Sequence, residues 1–152
     1  MSGVLAVVRP DSWNLPLFVH ILGAMILVGG TLTAASALAF ARGDARTLRL
    51  GYWSLLAVAL PGYVLMRIGA QWIYSKEGLD DAPIEEAWTG IGFAIADGGA
   101  LLLLIALITG GVGVRRLRDG KGTALLKATM VISLILLAAY VVAIWAMSAQ
   151  PS

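Results

Sequence analysis

Four long apolar stretches, separated by short polar segments, run along the chain at residues 15–41, 51–74, 88–114 and 124–147. A helix rises 1.5 Å per residue, so about 20 apolar residues cross the roughly 30 Å hydrocarbon layer of a bilayer. Each stretch can therefore span a membrane, and the segments between them are too short for a soluble domain. The pattern predicts one all-α domain over residues 1–152, a four-transmembrane-helix bundle that runs up-down-up-down.

Composition supports this interpretation and excludes several classes of protein. Apolar residues make up 59% of the chain and charged residues 13%, against roughly 45–50% and about 25% in soluble domains. With a mean hydropathy of +0.86 and a net charge of only +2, the chain does not fit a soluble enzyme or a nucleic-acid binder. The absence of cysteine excludes disulfides, Cys-ligated metals and thiol redox chemistry. The expected environment is a lipid bilayer.

The basic residues predict the orientation of the bundle. The first and third connecting segments, 42–50 and 115–123, and the first turn of the fourth predicted helix carry eight basic residues: Arg42, Arg46, Arg49, Arg115, Arg116, Arg118, Lys121 and Lys127. The acidic middle segment and the N-terminal tail carry two, Lys76 and Arg9. Because short cytoplasmic loops are enriched in Lys and Arg, both termini are predicted on the outer, periplasmic or extracellular, side. The predicted location is the plasma (inner) membrane, most simply of a bacterium.

Polar residues at one depth are the candidate functional site, since ionisable groups inside a membrane are costly and are kept for a reason. His20, Arg67 and Asp97 lie in the outer half of the first three predicted helices, and Tyr140 lies at a similar depth in the fourth. We expect these groups to face a polar chamber inside the bundle. Arg67 and Asp97 are predicted to form an ion pair, because neither charge can be isolated in hydrocarbon. That pair could be purely structural.

A b-type haem fits such a chamber. His20 shares a helix face with Gly23 and Gly30, so an imidazole would stand above a smooth groove and bind iron axially. Arg67 would pair with a propionate, supported by Tyr63, Gln71 and Tyr140. The chain has one histidine, so the iron would be five-coordinate, or take a methionine or a second protomer's His20. The same glycine faces are more often close helix–helix contacts than cofactor grooves.

Three other interpretations remain open. His20 could bind a metal ion, and His20, Arg67 and Asp97 could relay protons, although the inner half of the bundle offers only hydroxyl groups to continue a relay. The third alternative is a non-catalytic accessory subunit or assembly factor of a larger membrane complex, or a homodimer. Short loops and the lack of a soluble domain are typical of such subunits.

The segment LPLFVHILGAMILVGG at residues 15–30 resembles the first helix of small bacterial membrane proteins of the DUF2269 type and, more remotely, the CopD copper-resistance domain. The HemJ-type haem-binding membrane proteins are a more distant relative in pattern. The resemblance implies that His20 is the family histidine, which in the HemJ type is associated with haem b. The chain lacks the basic and aromatic motif that follows this helix in the HemJ type, and it lacks the repeated His and Met expected of a copper carrier.

Overall fold

The computed structural model describes residues 11–76, 78 and 87–149, and every regular element in this part is helical. After a 3-10 turn at Asp11–Trp13, the four helices are α1 (Asn14–Phe40), α2 (Ala45–Lys76), α3 (Ala87–Arg116) and α4 (Thr123–Ala149). Another 3-10 turn, Leu117–Asp119, follows α3. All four are long and apolar enough to cross a membrane, which confirms the four predicted spans and indicates a multi-pass membrane protein. Arg9 and the acidic residues predicted for the middle segment lie outside the described residues.

Helix α2 begins earlier than its apolar stretch predicts. The expected segment 42–50 shortens to a turn at 41–44, and the next residues already form the first turns of α2. Asp44 caps this end: its carboxylate accepts hydrogen bonds from the backbone N–H of Thr47 at 2.8 Å and from its hydroxyl at 2.6 Å. These bonds satisfy orphan donors and hold the pKa of Asp44 below its usual range. Hydropathy misses such a start because the capping turns are polar.

A π turn at Leu55–Ala59 interrupts α2 just before Pro61. Proline has no backbone N–H and its ring crowds the preceding turn, so a regular α-helical ladder cannot continue through it. The wider turn absorbs that defect, with the Leu60 N–H donating to the Leu55 carbonyl five residues back. Both halves of α2 remain in one continuous helix of 32 residues.

Helices α1 and α2 pack antiparallel with backbones in direct contact. A Cβ on Gly30 would lie 2.6 Å from the backbone nitrogen of Ala59, and Cβ atoms on Gly23, Gly62 and Gly69 would come closer still to the opposite backbone. The four glycines are spaced seven apart on each helix, so each returns to the same face. This confirms the helix-contact interpretation of the α1 glycines.

Helices α3 and α4 form the second antiparallel pair, with Gly113 against Leu126 at one end and Gly99 against Tyr140 towards the other. Thr109 and Thr129 hydrogen-bond across this pair at 2.9 Å. A core of small and aliphatic residues joins the two pairs: Leu27, Ala34, Leu55, Ala59, Leu103, Ala106, Leu136 and Tyr140. Most of the remaining surface is apolar, as expected of helices that face lipid.

Candidate functional site

The predicted ion pair is present between α2 and α3. Arg67 Nη2 donates to Asp97 Oδ1 at 2.8 Å, and the guanidinium carbon lies 5.8 Å from the centre of the Phe93 ring. Tyr63, one turn along α2, donates its hydroxyl to the Ala96 carbonyl at 3.2 Å. Long polar side chains therefore bridge the two helices at this level.

The pair lies on the side of the bundle and not in its interior. The Arg67 side chain is 34% exposed and the Asp97 side chain 66% exposed. Asp97 belongs to an exposed stripe of α3, whose large members are Leu101, Leu104 and Ile108. The expectation of a polar chamber enclosed by all four helices is therefore wrong for this pair. Gln71, predicted beside Arg67, is also exposed.

His20 lies in the contact between α1 and α2. Its Nδ1 is 3.0 Å from the Met66 carbonyl oxygen, and its backbone is close enough to Gly69 to exclude a Cβ there. The expected open groove below His20 is wrong, because α2 fills the face formed by Gly23 and Gly30. Since a carbonyl only accepts, Nδ1 is the donor in this contact, and in a neutral imidazole this arrangement leaves the Nε2 lone pair free to bind a ligand.

Tyr140 takes a third position, in the core. It is buried, with its ring beside Gly99, and its hydroxyl has no hydrogen-bond partner among the described residues. The predicted site is thus divided into three places: the pair with Tyr63 at the α2–α3 boundary, His20 between α1 and α2, and Tyr140 inside. The groups lie at similar levels along the bundle, but the rotation of each helix separates them.

The donor set gives limited support to a metal ion. Among the described residues, no group of three or more His, Asp or Glu side chains comes together in a way that could hold one. For haem, the Nε2 of His20 fits the role of an axial ligand. Arg67, the predicted propionate partner, is engaged by Asp97, so a propionate would have to share that guanidinium.

Three arginines, considered from the sequence only as evidence for membrane orientation, line a second candidate site. A cavity of about 380 Å³ lies at the basic end of the bundle, lined by Arg49, Val114, Arg115 and Arg118. The spacing of Arg115 and Arg118 hinted that they share a face. Nothing in the sequence indicated that Arg49 on α2 would join them.

Comparison with known proteins adds no relatives to this description. The chain matches no family model, no curated protein and no solved structure. The resemblance of its first helix to DUF2269-type, CopD-like and HemJ-type proteins stays a prediction, and the candidate function rests on the site geometry.

Proposed function

We propose that this chain is a non-catalytic accessory subunit or assembly factor that binds a second membrane-spanning chain over the Arg67–Asp97 face. The observation that carries the proposal is the 66% exposure of the Asp97 side chain on the side of the bundle. Arg67 pairs with one carboxylate oxygen of Asp97, and the rest of this exposed charged group needs a further polar or protein neighbour.

The depth of Asp97 in the membrane gives an estimate of the free energy that a covering chain would save. Helix α3 has 30 residues and is about 45 Å long. If its middle coincides with the middle of a hydrocarbon layer of about 30 Å, Asp97, ten residues after the start of α3, lies about 7 Å inside that layer. A charged residue deep in the hydrocarbon costs on the order of 3 kcal/mol even on insertion scales. A covering chain lowers this cost by removing lipid from the pair.

The unused hydrogen-bonding capacity of the ion pair also supports a partner chain. The salt bridge uses one carboxylate oxygen of Asp97 and one terminal nitrogen of Arg67. Within the described residues the other carboxylate oxygen has no hydrogen-bond donor, although a carboxylate accepts several. Leu101, one turn after Asp97, extends the same exposed stripe, so a partner helix would gain apolar contact next to a polar anchor.

Cross-linking in native membranes tests this proposal, because the cysteine-free chain gives no background. Leu101→Cys places a thiol on the Asp97 stripe, and Val141→Cys places a matched control on the exposed side of α4; the two side chains are 60% and 65% exposed. We expect a cross-linker with a maleimide at one end and a photoreactive diazirine at the other to capture a discrete product through residue 101 only. A product of twice the chain mass identifies a homodimer and any other mass a different subunit. Equal or absent capture at both positions would refute the proposal.

A second candidate, haem binding, is favoured by one specific observation: the Nδ1 contact of His20 with the Met66 carbonyl, 3.0 Å long. Iron-binding histidines commonly donate their other ring nitrogen to a carbonyl, which orients the ring and leaves Nε2 to ligate. On this proposal His20 is an axial ligand of a b-type haem at the edge of the α1–α2 contact. A partner's His20 would complete the iron coordination, or the iron would stay five-coordinate.

An absorption spectrum tests haem binding. The protein is expressed with haem supplied, purified in mild detergent, and measured oxidised and after dithionite reduction. We expect a Soret band with a redox-dependent α band, both lost in His20→Ala and retained in Val141→Ala, a control on the exposed side of α4. A colourless, monodisperse wild-type sample would exclude this candidate and leave the subunit proposal standing.

We further propose that the bundle runs up-down-up-down across the bacterial plasma membrane with both termini on the outer side. Support comes from eight basic residues in two turns and the adjoining helix ends, which the two antiparallel helix pairs bring to one end of the bundle. This end would face the cytoplasm.

A further inference from the structure

The basic end of the bundle has a cavity between α2 and α3 that the Arg67–Asp97 face does not include. The cavity is open to its surroundings, with a volume of about 380 Å³, and its three arginines are exposed. Arg49 lines it from α2, Arg115 from the last turn of α3, and Arg118 from the 3-10 turn that follows. Val114 supplies an apolar wall.

Three arginines line this cavity without a counter-charge. No carboxylate lines the cavity, and among the described residues none of the three arginines forms an ion pair. Like charges held together repel one another, so the arrangement is stabilised when an anion binds between them. The planar guanidinium matches phosphate oxygens with paired hydrogen bonds, and three of them suit a phosphate better than a carboxylate.

The surface next to the cavity is apolar and continues towards the middle of the membrane. Ile108 and Leu104 are 58% and 53% exposed, and Ile108 lies two turns before Arg115 on the same face of α3. On α2, Trp53 lies one turn after Arg49 and is 55% exposed. An indole ring favours the membrane interface, where headgroups meet acyl chains.

We propose that this cavity binds the headgroup phosphate of an anionic phospholipid, with an acyl chain lying along Ile108 and Leu104. Arginines alone would serve a soluble phosphate equally well. The continuous apolar path selects the lipid, because only a lipid carries hydrocarbon attached to its phosphate. Basic pockets between transmembrane helices are a recurrent form of lipid recognition.

Arg116 provides a control matched in charge and position. It follows Arg115 directly and is exposed, yet it does not line the cavity. Arg116→Gln therefore removes the same charge from the same end as Arg115→Gln or Arg118→Gln. A general electrostatic attraction to anionic lipid would weaken equally in all three variants, whereas a specific site would not.

Native mass spectrometry of the detergent-purified protein measures the binding. Dioleoyl phosphatidylglycerol is titrated against dioleoyl phosphatidylcholine, and sn-glycerol 3-phosphate serves as the soluble phosphate. We expect preferential binding of one phosphatidylglycerol, weakened roughly fivefold by Arg115→Gln and by Arg118→Gln and unchanged by Arg116→Gln. Thermal unfolding in detergent verifies that each variant is folded. If Arg115→Gln does not fold, Arg118→Gln still tests the site, because Arg118 lies in the 3-10 turn after α3.

Two results would overturn the proposal. Equal weakening by Arg116→Gln would show that the attraction is diffuse and not centred on the cavity. Binding of glycerol 3-phosphate as tight as that of the lipid, and lost in the same two variants, would assign the cavity to a soluble phosphate ligand.

Discussion

Arg67 and Asp97 illustrate what single residues in this chain can reveal. Two opposite charges in neighbouring apolar helices at similar depth had to meet, because each alone is too costly in hydrocarbon. The structure joins them at 2.8 Å. The pair could be predicted from residue type and depth, while its position on the side of the bundle could not.

A double-mutant cycle at this pair should give a large coupling energy. Arg67→Leu or Asp97→Leu alone leaves one charge unpaired, and we expect each to lower the free energy of unfolding by about 2–3 kcal/mol. The double substitution removes both charges and should cost less than the sum of the single ones. Thermal or chemical unfolding in detergent measures the three values. Strict additivity would show that the two side chains do not stabilise each other.

Tyr140 should respond to substitution differently from Tyr63. The Tyr140 hydroxyl is buried without a partner among the described residues, so Tyr140→Phe removes an unsatisfied group and should be neutral or stabilising by up to about 1 kcal/mol. Tyr63→Phe removes the bond to the Ala96 carbonyl and should cost about 1 kcal/mol. Both are measured by thermal unfolding. A greater loss at Tyr140 than at Tyr63 would mean that its hydroxyl has a partner.

At the scale of the helices, glycine decides how closely α1 and α2 approach. Gly29 and Gly30 are adjacent and chemically identical, yet a Cβ on Gly29 would meet nothing within 4 Å, whereas one on Gly30 would lie 2.6 Å from the Ala59 backbone. The sequence left two uses open for the Gly23 and Gly30 face, a cofactor groove or a helix contact. Only the position of α2 decided between them.

Alanine substitutions at Gly29 and Gly30 should therefore have different effects on stability. Gly29→Ala adds a methyl group in open space and improves helix propensity, so stability should be unchanged or slightly higher. Gly30→Ala forces the two backbones apart and should cost about 1–3 kcal/mol. Melting temperatures in the same detergent give the comparison. If both variants melt together, the close α1–α2 contact does not stabilise the bundle.

At the scale of the whole molecule, orientation rests on the distribution of charge between the two ends. Ser12→Cys and Asp119→Cys place single thiols at opposite ends of a cysteine-free chain, and both residues are exposed. In intact cells, a membrane-impermeant maleimide should label residue 12 and spare residue 119. Permeabilised cells serve as the control, with labelling of both. The reverse pattern would contradict the proposed orientation.

The sequence by itself determined the features that depend on one dimension. Length and hydropathy of each apolar stretch gave four spans, and the depths of Arg67 and Asp97 along their helices gave their pairing. Hydropathy did not predict the first turns of α2, because the residues after the N-cap Asp44 are polar and a hydropathy profile does not distinguish them from a loop.

Only the tertiary structure decided which way each helix faces. Helices that are apolar on all sides carry no amphipathic signal to separate a core face from a lipid face. The rotation of α1 and α2 follows from the fit of backbone to glycine, and it places His20 against Met66. The rotation of α3 places Asp97 on the exposed side of the bundle. The meeting of Arg49 with Arg115 and Arg118 depends equally on the packing of helices distant in sequence. The position of a residue along its helix follows from the sequence, whereas the direction in which its side chain faces depends on how the helices pack.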